Sequence, residues 1–149
     1  MAQPAPHFAK SCLFACIDDR LAASDFEYIK EIGGAFCPAL AGGALAIVSR
    51  ATRAAALTQI VLSYKINQIS DVYLQSHTDC GAYRLAGAVF TSPQAEIERL
   101  YADLHEAEKL VNDALIEAGA KPGEVKVHLR VVDPAGRLIP SRPLAGSRA

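Results

Sequence analysis

The chain has 149 residues, a length typical of one domain, and 51% of them are hydrophobic whereas 21% are charged. So large an apolar fraction excludes an intrinsically disordered chain, which cannot bury enough surface to offset its ordering entropy. The formal net charge of −1 lacks the basic excess of nucleic-acid-binding proteins, so we expect no nucleic-acid partner. We predict one domain over residues 1–149, with an N-terminal extension over 1–10 and an irregular C-terminal tail over 134–149.

The N-terminal residues contain two prolines and lack the apolar segment of a secretory signal. Residues 32–49 carry no charge, but glycines and a proline interrupt them, so we predict a strand, a turn and a helix start rather than a membrane span. We therefore expect a cytoplasmic protein with no membrane partner. Four cysteines, in a chain of this length, favour metal-binding or catalytic thiols over a disulfide scaffold. They are Cys12, Cys16, Cys37 and Cys80.

Apolar runs in the first third of the chain predict two strands. The runs cover residues 11–17 and 35–40, and a short helix is predicted between them over residues 24–31. Pro38 lies in the second run, which predicts an edge strand or an irregular one because proline cannot donate a ladder hydrogen bond.

The rest of the chain alternates between helical and strand patterns. Apolar spacing over 44–66 predicts one helix, residues 71–76 a third strand, and residues 94–118 the longest helix. Residues 125–132 alternate between apolar and polar side chains, which predicts a half-buried strand at a sheet edge. The predicted core-facing stripe of the helix over 44–66 consists of Ala54, Leu57, Val61 and Tyr64.

Strands that alternate with helices predict an α/β domain of three layers. Its centre would be a mostly parallel four-stranded sheet with helices on both faces. Numbered along the chain, the predicted strands lie in the order 2-1-3-4. Ligands of such sheets bind beyond the carboxyl ends of the strands, where the strand order reverses. Functional side chains are therefore expected just after the first and third predicted strands.

Two polar motifs stand at those strand ends. Residues 16–20 read Cys-Ile-Asp-Asp-Arg, and residues 77–81 read His-Thr-Asp-Cys-Gly. If the first and third strands are neighbours, Cys16, His77 and Cys80 converge. Two thiolates and one imidazole form a ligand set of catalytic zinc sites, in which the fourth position stays open. We therefore predict a Zn²⁺ site formed by these three residues.

The two motifs resemble the C-x-D-x-R and H-x-x-C signatures of the β-class carbonic anhydrases. The turn Ala41-Gly42-Gly43 is similar to the glycine turn of that family, and the resemblance extends from Ser11 to Tyr83, about half of the chain. It implies the β-carbonic anhydrase fold. It also implies a zinc lyase, a carbonate dehydratase that interconverts carbon dioxide and bicarbonate by means of a zinc-bound hydroxide.

The resemblance assigns a role to each residue of the motifs. Cys16, His77 and Cys80 would be the zinc ligands. Asp18 and Arg20 would be the catalytic dyad: Arg20 orients Asp18, which accepts a hydrogen bond from the zinc-bound hydroxide. In some members this aspartate is instead a fourth zinc ligand, and both arrangements stay open here. The resemblance further implies a homodimer or a higher homo-oligomer.

Three departures from the family pattern leave other functions open. Ala39 stands where the family usually carries an arginine, Ser76 replaces a usual glycine, and about ten residues take the place of a helical arm that embraces a partner subunit. One alternative is a hydrolase of carbon disulfide or carbonyl sulfide. Another is a non-catalytic zinc-binding or anion-binding module.

The remaining polar and sulfur-containing residues near the motifs are predicted to be structural. Cys12 lies four strand residues from Cys16, a distance of about 13 Å, so both cannot bind one zinc ion and Cys12 is predicted to be core. Cys37 is likewise predicted to be buried. Thr78 and Asp79 are predicted to be loop and helix-capping residues.

Overall fold

The computed structural model describes residues 5–141. Residues 1–4 of the predicted extension and residues 142–149 of the predicted tail lie outside the described part. In chain order the elements are β1 (Ser11–Phe14), a 3₁₀ turn (Asp19–Leu21), α1 (Ala22–Glu31), α2 (Ala44–Val48), α3 (Arg53–Asn67), β2 (Asp71–His77), α4 (Gly81–Leu85), α5 (Pro93–Glu117) and β3 (Lys126–Val132).

The three strands form one parallel sheet in the order β1-β2-β3. In its register, Asp71 of β2 lies between Ser11 of β1 and Lys126 of β3. The prediction of an α/β domain with a parallel sheet is confirmed. β2, at the centre of the sheet, has the apolar residues Val72 and Leu74 fully buried, as its central position requires.

The predicted second strand, over residues 35–40, is not a regular strand. It lies beside β1 through two isolated parallel bridges, Cys12 with Phe36 and Ala15 with Ala39. The segment therefore has the position that the predicted order gave it, but the sheet has three strands instead of four. Pro38 explains the difference, because its nitrogen carries no hydrogen to extend the ladder.

Helices cover both faces of the sheet. α2, α3 and α5 pack on one face and build the main core. α1 lies against the other face, where the Tyr28 ring meets the Tyr73 ring edge-on and Gln75 donates a 2.7 Å hydrogen bond to Asp25. None of the helices in residues 5–141 has the length and hydrophobicity that a bilayer crossing requires.

The single helix predicted over residues 44–66 is wrong: two helices, α2 and α3, occupy this range. Side chains satisfy the carbonyl groups that the break releases. Arg53 donates to the carbonyl oxygens of Ile47 at 3.1 Å and Val48 at 2.7 Å, and Thr52 donates to that of Ala46 at 2.7 Å. These hydrogen bonds are made by polar side chains, so they cannot be recognised in the spacing of apolar residues from which the single helix was predicted.

α3 turns a different face to the core from the predicted one. Its buried residues are Ala56, Ile60 and Ser63. Of the predicted stripe, Ala54 is exposed and the other three residues are half-buried. Most of that stripe borders an open groove between α3 and α5. The prediction failed because an apolar stripe along a groove has the same period as a stripe in the core.

The last strand and the long helix agree with the prediction to within one residue at each end. Ser92 caps α5 by accepting a 3.1 Å hydrogen bond from the amide of Ala95. β3 lies at the edge of the sheet, and its outer side is met by a short segment in which Leu138 forms an antiparallel bridge with Val132. The amide of Ile139 donates a 2.7 Å hydrogen bond to the carbonyl oxygen of Val131.

Candidate metal centre

The carboxyl ends of β1 and β2 bring the two motifs together. β1 is a fully buried apolar strand, and the chain leaves the core just beyond Cys16, at a run of charged residues. His77 is the last residue of β2, and Cys80 is the residue that caps the N-terminus of α4. Because β1 and β2 are parallel neighbours, both motifs lie at the same end of the sheet.

Cys16, His77 and Cys80 form a buried cluster whose potential ligand atoms lie within 4.8 Å of one another. Their exposed fractions are 8%, 1% and 3%. The two sulfur atoms are 3.9 Å apart, and both cysteines are free thiols. The predicted convergence of the three residues is therefore found, and the cluster could hold a metal ion.

The imidazole of His77 is oriented for metal binding. Its Nδ1 lies 2.8 Å from the carbonyl oxygen of Thr78. A carbonyl oxygen only accepts, so Nδ1 carries the hydrogen and Nε2 presents its lone pair to the cluster. Within residues 5–141 this buried Nε2 has no hydrogen-bond partner, an arrangement that costs free energy in a folded protein unless a hydrogen-bond donor or a metal ion pairs with the nitrogen.

The cluster fits a zinc ion in its donor types and in its sulfur spacing. Zinc–sulfur bonds of ~2.3 Å at tetrahedral angles place two sulfur atoms ~3.8 Å apart, close to the 3.9 Å found between Cys16 and Cys80. Backbone amides support both thiolates. The amide of Gly42 donates to Cys16 at 3.2 Å, and the amides of Ala82 and Tyr83 contact Cys80 at the positive end of α4.

The pKa values in the cluster reflect its close contacts. A hydrogen bond from Cys80 is the main cause that holds the pKa of the Cys16 thiol below its ordinary value. The same contact, together with burial, raises the pKa of Cys80. Burial is the largest single influence and opposes protonation of His77, but the Cys16 thiolate, the Thr78 carbonyl and the Asp18 carboxylate together outweigh it and raise the pKa of the imidazole. The cluster therefore readily holds negative charge on sulfur, the form that binds metal ions.

Asp18 and Arg20 form a bidentate ion pair at the mouth of the cluster. Arg20 donates from Nε to Oδ1 of Asp18 at 2.9 Å and from Nη2 to Oδ2 at 2.7 Å. The Arg20 guanidinium is also the main cause that holds the pKa of the Asp18 carboxyl below its usual range. Oδ2 of Asp18 lies 3.6 Å from Nε2 of His77. The carboxylate thus borders the cluster, with its orientation fixed by Arg20.

The glycine turn supports the cluster from a third side. Gly42 and Gly43 have φ angles of +94° and +56°, which favour glycine. A Cβ atom on Gly43 would overlap the carbonyl oxygen of Gln75. The hydroxyl of Ser76, the residue in place of the usual family glycine, is fully buried and accepts a 3.2 Å hydrogen bond from Ala44. Ser76 therefore ties the start of α2 to β2.

The predictions for the two other cysteines have different outcomes. Cys12 is fully buried, as predicted, and burial raises the pKa of its thiol to about 12. The prediction that Cys37 is buried is wrong, because its segment lies at the outer edge of the sheet and leaves the side chain exposed. Ala39, in the same segment, is exposed as well.

The assignment of Asp79 as a loop or helix-capping residue missed its main contact. Cys80, not Thr78 or Asp79, caps α4. Asp79 instead accepts a 2.9 Å hydrogen bond from Nη1 of Arg20. The only sequence signal for this contact is that Asp79 and Arg20 both lie in motifs predicted to meet at the strand ends.

Structure comparisons identify the architecture. No protein-family model matches the chain, and no curated protein matches it. Among solved structures, a tetrameric β-carbonic anhydrase of Sordaria macrospora aligns with a TM-score of 0.60 and 17% identity, covering 88% of this chain and 79% of that one. The β-carbonic anhydrase of Aspergillus fumigatus aligns with a TM-score of 0.52 and 17% identity, covering 91% and 77%.

A carbonic anhydrase from Glaciozyma antarctica aligns with a TM-score of 0.50 and 20% identity, covering 91% of this chain and 83% of that one. At identities this low, the structural similarity establishes the architecture alone and assigns no role to any residue. The parallel sheet and its surrounding helices, seen in all three comparisons, agree with the fold that the two motifs predicted. The chain therefore has a divergent fold of the β-carbonic anhydrase type.

Proposed function

We propose that the chain is a zinc-dependent carbonic-anhydrase-like lyase that interconverts carbon dioxide and bicarbonate. The observation that carries the proposal is the buried cluster of Cys16, His77 and Cys80, in which the unpartnered Nε2 of His77 faces two thiols. The fold is that of known carbonic anhydrases, and Asp18 and Arg20 lie beside the cluster in the order of the family's dyad. Bound zinc would acidify a water molecule, whose pKa reaches ~7 in such enzymes; because two thiolates would cancel the charge of the ion, we expect a less acidic water here and activity at alkaline pH.

The residues of the chain would divide the work at this centre. Cys16, His77 and Cys80 would hold the metal ion, and the Thr78 carbonyl would fix the His77 tautomer. Asp18 would accept a hydrogen bond from a hydroxyl group at the mouth of the site and thereby turn a lone pair of that group toward the substrate. Arg20 occupies both Asp18 oxygen atoms, which favours Asp18 as an orienting group over Asp18 as a fourth ligand.

Stopped-flow hydration of carbon dioxide by the zinc-loaded protein tests the proposal. We expect a rate above buffer that rises across ~pH 7–9, the range in which zinc-bound water ionises. The control is Cys37→Ser, which removes an exposed thiol outside the cluster and should retain the full rate. A zinc-loaded protein with no rate above buffer across this range would sink the proposal.

One observation favours a second candidate, a non-catalytic zinc-binding module. Ala39 replaces a usual family arginine, and this short side chain is exposed, so it contributes no charge to a substrate pocket. The module would bind zinc with the same three residues but would not hydrate carbon dioxide. Metal analysis together with the hydration assay separates the two candidates.

We also propose that the chain forms a homo-oligomer. Ile17, which follows Cys16, is 63% exposed, and Leu85 of α4 and Val89 are 93% and 88% exposed. Large apolar side chains this exposed, on the segments that follow the two motifs, are expected of a surface that a second copy covers. Sedimentation velocity of the zinc-loaded protein tests this, since a monomer at micromolar concentration would contradict it.

The free thiols favour a reducing, cytoplasmic location.

A further inference from the structure

Arg20 divides its hydrogen bonds between the two motifs. Two of the hydrogen bonds of its guanidinium go to the carboxylate of Asp18, which also accepts a 3.0 Å hydrogen bond from the Arg20 amide. The other two go to Asp79: Nη1 donates to Oδ2 at 2.9 Å, and Nη2 donates to the main-chain carbonyl oxygen at 3.0 Å. A guanidinium has five N–H groups, so four of the five are engaged, and half of the engaged groups serve Asp79.

Asp79 is itself held in a fixed place. Its φ of +56° is a left-handed conformation that aspartate and asparagine adopt more readily than most residues. Its amide donates a 2.6 Å hydrogen bond to Glu96 in the first turn of α5. The neighbouring Thr78 donates through its amide to the carbonyl oxygen of Val132 at 3.0 Å. The position of Asp79 is therefore set by α5 and β3, independently of Arg20.

We propose that Asp79 is a positioning residue, which fixes the Arg20 guanidinium and through it the orientation of the Asp18 carboxylate at the metal centre. This inference rests on the proposed function of that site. The Arg20 amide holds only Oδ1 of Asp18, so without Asp79 the Arg20 guanidinium, on a side chain that is 41% exposed, would be held by the Asp18 carboxylate alone. A second anchor on the opposite motif restricts its movement. The outward-facing ion pair thereby gains the rigidity that isolated surface pairs lack.

The first readout is independent of metal and activity. In protein labelled with ¹⁵N-arginine, hydrogen exchange of the Arg20 Nε–H measures how firmly the guanidinium is held. Asp79→Gly removes the side chain and keeps the left-handed backbone, and Asp79→Asn keeps an acceptor but loses the charge. We expect exchange to accelerate about tenfold or more in the glycine variant, as loss of a hydrogen bond between charged groups predicts, and by less in the asparagine variant. Unchanged exchange in Asp79→Gly overturns the proposal.

Arg84 provides the matched control. Its Nη2 lies 3.7 Å from Oδ1 of Asp79, and its side chain is 68% exposed. Arg84→Gln therefore removes a positive charge next to Asp79 without touching Arg20. We expect wild-type exchange of the Arg20 Nε–H in Arg84→Gln. An acceleration equal to that of Asp79→Gly would show that general charge balance holds Arg20, and would refute a specific role of Asp79.

The second readout uses the hydration assay. We expect Asp79→Gly to retain its zinc and its KM but to lose about tenfold in kcat, since Asp79 touches neither ligand atoms nor substrate. An unchanged kcat in an active protein overturns the positioning role. If the wild-type protein shows no hydration while Arg20 exchange still follows the Asp79 series, the anchoring is supported and the proposed function fails.

Discussion

At the residue scale, Gly43, next to the metal centre, tolerates substitution poorly. Its φ of +56° and the adjacent carbonyl oxygen of Gln75 leave no space for a side chain. We expect Gly43→Ala to lower the free energy of unfolding by at least ~2 kcal/mol, because both the backbone and the packing against β2 must shift. Urea denaturation monitored by circular dichroism measures this.

Gly81 provides the matched comparison for Gly43. It has no positive φ, and a Cβ atom there would meet nothing within 4 Å. Since alanine is the better helix former by ~0.5–1 kcal/mol, Gly81→Ala should keep or slightly raise the stability. Equal losses in the two variants would contradict the steric explanation.

The residues of the metal cluster make a prediction about metal content. Cys16→Ser keeps an acceptor for the Gly42 amide but replaces a thiolate by a weak zinc ligand. We expect its zinc affinity to fall by more than the ~10–100-fold that is lost when a residue hydrogen-bonded to a zinc ligand is replaced. Competition with a chromogenic chelator measures the affinity. Cys37→Ser should bind zinc like the wild type, and a normal affinity in Cys16→Ser would remove Cys16 from the ligand set.

The convergence of the cluster could be predicted from the sequence, but the anchoring of Arg20 could not. Cys16 closely follows one buried strand and His77 ends another, and parallel neighbours bring such ends together whatever the loops do. The contact between Arg20 and Asp79, in contrast, depends on a left-handed backbone at Asp79 and on the hydrogen bond that its amide donates to Glu96 of α5. Neither has a signature in the local pattern of apolar and polar residues.

At the scale of elements, the break between α2 and α3 depends on Arg53. Its two hydrogen bonds satisfy carbonyl groups at the end of α2, which would otherwise lack partners. We expect Arg53→Ala to destabilise the fold by ~1.5–3 kcal/mol, the range for hydrogen bonds to charged groups. Thermal and urea unfolding measure the loss. The exposed Arg50 is the control, and Arg50→Ala should change the stability by less than ~0.5 kcal/mol.

Elements with strong local signals were predicted well, and those set by distant contacts were not. α5 has a serine cap followed by proline, and its predicted range is correct to one residue at each end. The break after α2 depends on side chains of Thr52 and Arg53 that reach back across the turn. The irregular segment beside β1 results from Pro38, which the sequence marked as an obstacle without deciding between an edge strand and no strand.

At the scale of the whole molecule, Asp71 connects two strands. Its carboxylate accepts a 2.6 Å hydrogen bond from Ser70 and lies 2.7 Å from Nε2 of His128 in β3, with Lys126 as its register partner. The Ser70 hydroxyl, followed by His128, lowers the pKa of the carboxyl. A lowered pKa in the folded state means that the carboxylate stabilises the fold above the unfolded-state pKa of ~3.9.

This stabilisation is lost as the pH falls through the folded-state pKa of Asp71. We expect the difference in unfolding free energy between wild type and Asp71→Asn to shrink from about pH 5 to about pH 3. Because other carboxylates titrate in the same range, the difference between the two proteins is the informative quantity. Urea denaturation at several pH values gives it, and a difference that grows toward acid pH would contradict the assignment.

Each outer edge of the sheet is covered by a short segment that has a proline in it or next to it. Beside β1 runs the segment that contains Pro38, and beside β3 runs the segment of Leu138 and Ile139, which Pro140 follows. Open strand edges invite other chains to add strands, the first step of cross-β aggregation. A proline offers no N–H for such growth. Because Pro38 turns its carbonyl toward Ala15 of the β1 segment, it acts by keeping the outer segment from pairing as a regular strand, so neither outer segment offers a continuous strand edge for fibril-like growth.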